Sequence, residues 1–214
     1  MYGVLRRHGA SRLAHADRLT GAPVRYVRER PGELIHVDVK KLGRVPPGGG
    51  HRMLGPTARG HLGLGHDYLH VAVDDATRVA YVEVRPDERA ATTVGFVEGA
   101  IRFFAGHGVR IERVMTDNAM TYTHSPRFSA LMAARAIRHL RTRPRRPQTN
   151  GKAERFIGTL QREWAYARLF RSNQERLDSL PRWLDAYNRR RPHAGLDGQT
   201  PMLVLVNKVE ENDT

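Results

Sequence analysis

Two or three convergent carboxylates can hold the divalent ions that drive phosphoryl transfer, because magnesium takes hard oxygen ligands and lets water and substrate supply the rest. Asp38, Asp117 and Glu154 have settings that suit this role. Asp38 sits in an alternating run, with Ile35, Val37 and Val39 on one face of a predicted strand and His36, Asp38 and Lys40 on the other. Asp117 follows the apolar run Val109 to Met115, and open sheets present functional groups at the carboxyl ends of parallel strands. Glu154 lies in the first turn of a predicted helix with apolar residues Ala153, Phe156, Ile157, Leu160 and Trp164. At about 100° per residue it falls about 60° from Ile157, on the rim of the buried stripe. Each acid alone also has an ordinary reading: Glu154 complements a helix dipole, Asp117 makes a turn, and Asp38 faces solvent from a strand.

The elements that must position these acids follow from apolar periodicity. Leu34 to Leu42, Tyr68 to Val73 and Val79 to Val84 read as strands, the last two joined by Asp74-Asp75-Ala76-Thr77-Arg78 at hairpin length. Gly43 to Gly65 is a Gly- and Pro-rich loop. Arg89 to His107 reads as a helix, with Val94, Val97, Ile101 and Phe104 in one stripe and Gly106 and Gly108 at its stop. Val109 to Met115 is a fourth strand, Pro126 to Arg135 a helix, and Ile137 to Leu140 a short fifth strand. Lys152 to Ala167 and Gln174 to Arg190 read as two further helices. Early strands on short connectors, then alternating helices, predict an α/β fold with a mixed five-stranded sheet flanked by helices. We expect a basic amino-terminal arm over 1–30, a core over 31–205 and an acidic tail over 206–214.

Charge narrows the chemistry. Lys plus Arg number 36 against 22 Asp plus Glu, a formal net charge of +14 over 214 residues. Such an excess favours a polyanion, since each neutralised phosphate releases condensed counterions and Arg forks onto phosphate as Lys cannot. The absence of cysteine excludes disulfides, thiolate zinc sites and thiol nucleophiles, and fits a reducing cytoplasm. No apolar run reaches membrane-spanning length, so no membrane partner is expected.

The residues around the acids make them a set. Ile35-His36-Val37-Asp38, Met115-Thr116-Asp117-Asn118-Ala119 and the run from Pro147-Gln148-Thr149-Asn150-Gly151 through Lys152-Ala153-Glu154-Arg155-Phe156 resemble the integrase core of bacterial insertion-sequence transposases, in the retroviral-integrase (DDE) superfamily. So does Tyr187-Asn188-Arg189-Arg190-Arg191-Pro192-His193, with Leu196 and Thr200-Pro201 after it. The likeness spans roughly residues 31 to 205 and keeps 36 residues between Asp117 and Glu154, as that family expects.

The resemblance implies an RNase H-like fold and a site in which Asp38, Asp117 and Glu154 hold two Mg2+ or Mn2+ ions. Such a site nicks a transposon end and lets the freed 3′-hydroxyl attack target DNA. The implied partner is double-stranded DNA (transposon ends and target), bound by a homo-oligomer in a bacterial cytoplasm beside the nucleoid. Asn118, Asn150 and Lys152 match neighbours of the motifs and are expected to touch DNA or to support the acids. Family members usually carry a helix-turn-helix region ahead of the core. Only about 30 residues precede it here, too few for such a module plus a linker, so a truncated element, a separately encoded core or a domesticated remnant is expected.

Eight basic residues from Arg135 to Arg155 (Arg135, Arg138, Arg141, Arg143, Arg145, Arg146, Lys152, Arg155) stand against the single acid Glu154. A run of this sign leading into the glutamate is expected to track a DNA backbone through Arg141, Arg143, Arg145, Arg146, Asn150, Lys152 and Arg155. Arg189, Arg190 and Arg191 either extend that surface or complement a helix C-terminus. His61, His66 and His70 form a weak zinc candidate, the Asp74-Asp75 pair reads as turn chemistry, and Trp164 and Trp183 read as core. The expected activity is metal-dependent DNA cleavage and strand transfer by a DDE-type transposase. The rivals are an RNase H-like nuclease that only hydrolyses and a non-catalytic DNA-binding remnant.

Overall fold

Alternation of β-branched and polar residues builds β1 (Ile35–Gly43), β2 (His66–Asp74) and β3 (Ala80–Arg85) into an antiparallel meander. On the other side of β1 lie β4 (Arg113–Thr116) and β5 (Arg138–Arg141), both parallel to their neighbours, which gives the sheet order β3-β2-β1-β4-β5. Parallel neighbours need crossovers. Helix α1 (Ala90–Ala105) leads from β3 towards β4, while α2 (Met120–Thr123) and α3 (Pro126–Ala134) join β4 to β5. After β5 come α4 (Gly151–Leu160), a π turn over Gln161–Ala165, α5 (Asn173–Asp178), α6 (Leu180–Arg189) and α7 (Pro201–Asn212). This computed structural model describes residues 28–49, 53, 55, 63–142 and 150–212. The expected arm before residue 28, His61, Arg143, Arg145 and Arg146 lie outside the described residues.

Both faces of the sheet are covered, so there are two cores. Ile35, Val37 and Ala72 pack with Phe96, Val97 and Phe104 of α1, Phe128 of α3, and Met202 and Leu205 of α7. Leu42, Leu69, Val71 and Val73 point the other way, onto Ala153, Phe156, Ile157 and Leu160 of α4, with Trp164 and Tyr187 behind. The period of two in β1 therefore sends Asp38 to the same side as Leu42, the side that α4 covers.

The mixed five-stranded sheet with flanking helices is the expected architecture, with boundaries moved for local reasons. The fourth strand begins at Arg113, because the backbone N–H groups of Val109 and Glu112 are spent on the carbonyls of Phe104 and Gly32. The helix expected over 174–190 is two helices that meet at Ser179, whose hydroxyl donates to the Arg176 carbonyl and accepts from the Trp164 indole. Helix α7 runs past residue 205 to Asn212 without a break, so the segment expected as an acidic tail begins inside a helix packed on the core.

Candidate active site

Strand register brings the first two acids together. His36 pairs with Met115 across the parallel β1–β4 ladder, and the same register carried two residues on sets Asp38 level with Asp117. Adjacent strands stand about 4.8 Å apart. Asp38 is half-buried, whereas Asp117 is exposed at the end of β4, its Oδ1 accepting from the Ala119 N–H at 3.0 Å. Glu154 is exposed in the first turn of α4, on the covered side of the sheet.

The electrostatics tie the three acids together. Burial pushes the Asp38 carboxyl up to about 6, and repulsion from Asp117 and from Glu154 adds to it. The Val39 N–H, donating to Oδ1 at 2.8 Å, and Lys40 pull in the opposite direction. Asp38 and Asp117 also line a cavity of about 260 Å3 with Glu88, Met120 and Tyr122 among its walls. The Tyr122 hydroxyl is buried without a hydrogen-bond partner among the described residues. Burial, then Asp117, Asp38 and Glu88, hold that phenol above its usual range, so it remains a neutral donor. Glu88 is paired with Lys41 at the cavity rim.

Among the described residues no three His, Asp or Glu side chains stand close enough to form a ready-made metal cage. The donor chemistry nevertheless fits a hard divalent cation. Two carboxylates lie side by side, a third lies within electrostatic reach, and their mutual repulsion is what a cation relieves.

Behind the acids lies a buried polar network centred on Asp75, in the turn between β2 and β3. One carboxylate oxygen meets the His36 ring at 2.8 Å; the other takes the Lys152 ammonium at 2.7 Å and the Arg28 N–H at 2.7 Å. The other ring nitrogen of His36 faces the Asn150 side-chain oxygen at 3.1 Å, and the Asn150 amide donates to the Val37 carbonyl at 3.3 Å. The His36 and Lys152 partners outweigh burial and hold the Asp75 carboxyl well below the usual carboxylate range. Its neighbour Asp74 goes the other way. Burial raises it, although Gly32 N–H and both donors of Thr77 bond to it.

A family model described as "Integrase core domain" matches residues 28–147, and a second of the same description matches 135–201. The chain belongs to the integrase core domain family. That family sits within the retroviral-integrase (DDE) superfamily. Among its relatives, "Uncharacterized protein K02A2.6" of Caenorhabditis elegans is 33% identical over 134 residues, 63% of this chain and 10% of that protein. "Putative integrase ORF3" of Spiroplasma virus SpV1-C74 is 27% identical over 150 residues, 64% of this chain and 41% of that protein. The chain thus spans a tenth and about two fifths of these two relatives. Among solved structures, the HTLV-2 integrase catalytic core domain in complex with magnesium (dimeric form) matches with a TM-score of 0.57 at 17% identity, covering 82% of this chain and 97% of that one. The fold is that of the integrase catalytic core, RNase H-like.

The basic residues of this integrase core divide into two groups. Arg135, Arg138, Arg141 and Arg155 are exposed, and Arg141 and Arg155 have no ion pair among the described residues. Asn150 and Lys152, expected as DNA contacts, turn inward instead. Asn150 is 3% exposed with both ends of its amide engaged, and Lys152 is committed to Asp75. Asn118 spends its amide on the Thr142 carbonyl and hydroxyl, tying the loop after β4 to the end of β5. Arg189, Arg190 and Arg191, expected to extend the basic surface or to cap a helix, are each held by an acid: Asp185 for the first two, Glu163 for the third.

His70, the weak zinc candidate, is buried against Phe96 and bonds the Asp87 carbonyl. Trp164 and Trp183 pack with Phe156 and Tyr187 in the core, as expected. The Asp74-Asp75 pair does make the turn, but Asp75 also organises the network above, a role missed from sequence. The available signal was a Lys152 two residues before Glu154 and a His36 two residues before Asp38. Glu88 and Tyr122 carried no such signal, since only the folding of the segment before α1 and of α2 brings them to the cavity.

Proposed function

We propose that this chain is the catalytic core of a metal-dependent DNA transposase or integrase that cleaves a DNA strand and joins the freed end to target DNA. Asp38, Asp117 and Glu154 are the ligands of Mg2+ or Mn2+, two ions per site in this reading. The observation that carries it is the cavity that Asp38, within β1, shares with Asp117, just past the end of the parallel neighbour β4, with Glu154 close enough to raise the Asp38 carboxyl. The bound ions would supply electrostatic stabilisation of the charge that develops on the phosphate oxygens. The protein's own part is to hold the carboxylates, to present the Tyr122 donor inside the cavity, and to seat duplex DNA along Arg141 and Arg155. Arg143, Arg145 and Arg146 belong to the same proposed surface. A homo-oligomer is proposed because two ends must be joined in one event, and an insertion-sequence element in a bacterial nucleoid is the proposed setting.

A second reading, a DNA-binding remnant without chemistry, is favoured by one observation: the three acids do not close into a cage among the described residues. The two readings separate in a cleavage and strand-transfer assay on short duplexes with paired candidate ends, in Mg2+ or Mn2+, comparing the chain with Glu154→Gln. Gln keeps the shape and removes the charge, so loss of at least about 100-fold is expected, about 2.7 kcal/mol of barrier. Nicking without joining would support the hydrolytic nuclease instead. Tight binding with no chemistry from either protein would leave only the remnant.

A further inference from the structure

The two residues that precede Asp38 and the first turn of the helix that carries Glu154 are locked to each other through one buried side chain. Asp75 reaches His36 on β1 with one oxygen and Lys152 on α4 with the other, while Asn150 bridges from the start of α4 to His36 and to the Val37 carbonyl. Asn150 makes no side-chain cap for its own helix, because its amide is used on β1. Apolar packing seats α4 on the sheet, and Asp75, His36 and Asn150 tie its first turn to β1. Asp75 itself is 2% exposed and lines none of the cavity that holds Asp38 and Asp117, so it touches neither DNA nor metal.

We propose that Asp75 is a positioning residue for the metal site: through Lys152 and through His36 with Asn150, it sets the distance between Glu154 and Asp38. This rests on the metal-dependent reading above. Second-layer partners of metal ligands act in this way, since a ligand that wanders loses affinity even when its own chemistry is intact. Three separate hydrogen-bonding directions converge on one carboxylate, so a neutral amide in its place cannot satisfy them all. Asn offers one acceptor oxygen where Asp75 offers two, and its NH2 group would face Lys152 or His36.

The test compares Asp75→Asn, Lys152→Met and Lys152→Arg with the wild type in the full chain. Two readouts do not need turnover: hydrogen exchange of the α4 amides at residues 155–158, and Mn2+ binding by water-proton relaxation. Asp75→Asn and Lys152→Met are expected to loosen exchange in α4 while β2 keeps its protection, and to weaken Mn2+ about 10- to 100-fold. Lys152→Arg, which keeps the charge, is expected to restore most of both. In the strand-cleavage assay Asp75→Asn and Lys152→Met should lower kcat and leave KM for DNA unchanged. Unaltered α4 exchange with unaltered Mn2+ affinity in Asp75→Asn overturns the proposal. Should Asp75→Asn fail to fold, Lys152→Met decides by the same readouts. A wild type that binds no Mn2+ overturns the metal reading instead, and the exchange pattern tells the two failures apart: α4 would still loosen in Asp75→Asn, with no metal effect to accompany it.

Discussion

Arg176 is 1% exposed, an unusual place for a guanidinium, and its surroundings explain how the charge is held. One terminal nitrogen bonds Asp67 at 3.3 Å, the Gly43 carbonyl at 3.0 Å and the Asn173 side-chain oxygen at 2.8 Å. Asp67 has further partners: the Arg44 guanidinium at 3.0 Å and the Asn173 amide at 2.8 Å. The pair is therefore lopsided. Removing the acid leaves a buried cation without its counter-charge, whereas removing the cation leaves an acid still paired with Arg44. Asp67→Asn is expected to cost about 3–5 kcal/mol and Arg176→Met about 1–2 kcal/mol, read by urea denaturation of each variant. Equal costs, or the opposite order, would refute the asymmetry. None of this was legible from sequence, because Arg176 sits in a charged stretch, Asn-Gln-Glu-Arg, that reads as a solvated helix face. His36 was half legible. Its face on β1 followed from the alternation, but its burial depends on α4 and Asp75 arriving from distant parts of the chain.

At the scale of elements, the entry to the sheet depends on one turn. Gly32 has φ +78°, its N–H bonds Asp74, its carbonyl accepts from Glu112, and a Cβ there would overlap the Arg110 carbonyl. The lead-ins to β1 and β4 pass each other at this residue, so the spacing of the strands that carry Asp38 and Asp117 depends on it. Gly32→Ala is expected to destabilise by at least about 2 kcal/mol, because positive φ and a backbone clash act together. Gly43 ends β1 with ordinary φ and open space around the missing Cβ. Gly43→Ala should therefore be neutral or stabilising by up to about 1 kcal/mol. Thermal unfolding of the two variants checks the contrast, and a similar loss in both would mean that chain flexibility, rather than the local geometry, sets the cost. Pro31-Gly32 could be read from sequence as punctuation, and Ser125-Pro126 starts α3 with Ser125 capping the Phe128 N–H. The break at Ser179 carried a signal too, Pro181 in the first turn of α6, but the periodicity of apolar residues continues across the corner that the Trp164 hydrogen bond holds.

For the whole molecule, composition spoke earliest and least specifically. A net charge of +14 points to a polyanion, yet the structure commits several cations elsewhere: Lys152 and Arg191, expected on the basic surface, pair with Asp75 and Glu163, and Arg176 is buried with Asp67. What could not be read from a sum of charges is which cations remain available, because pairing is decided by the fold. Arg141 on the edge strand β5 and Arg155 on α4 are exposed and flank the acids. Each phosphate neutralised by such a residue contributes about 0.9 to the slope of log affinity against log salt on duplex DNA. The double variant Arg141→Gln/Arg155→Gln is thus expected to lower that slope by about 1.8, measured by fluorescence anisotropy on a short duplex between about 50 and 200 mM KCl. Glu163→Gln/Arg191→Gln removes a bidentate pair already neutral as a unit, so its slope should match the wild type. If the first double variant leaves the slope unchanged, the backbone runs elsewhere and the placement of DNA across β5 and α4 is wrong. If the second lowers the slope as much as the first, pairing within the fold does not withdraw a cation from DNA, and the division drawn between free and committed arginines fails.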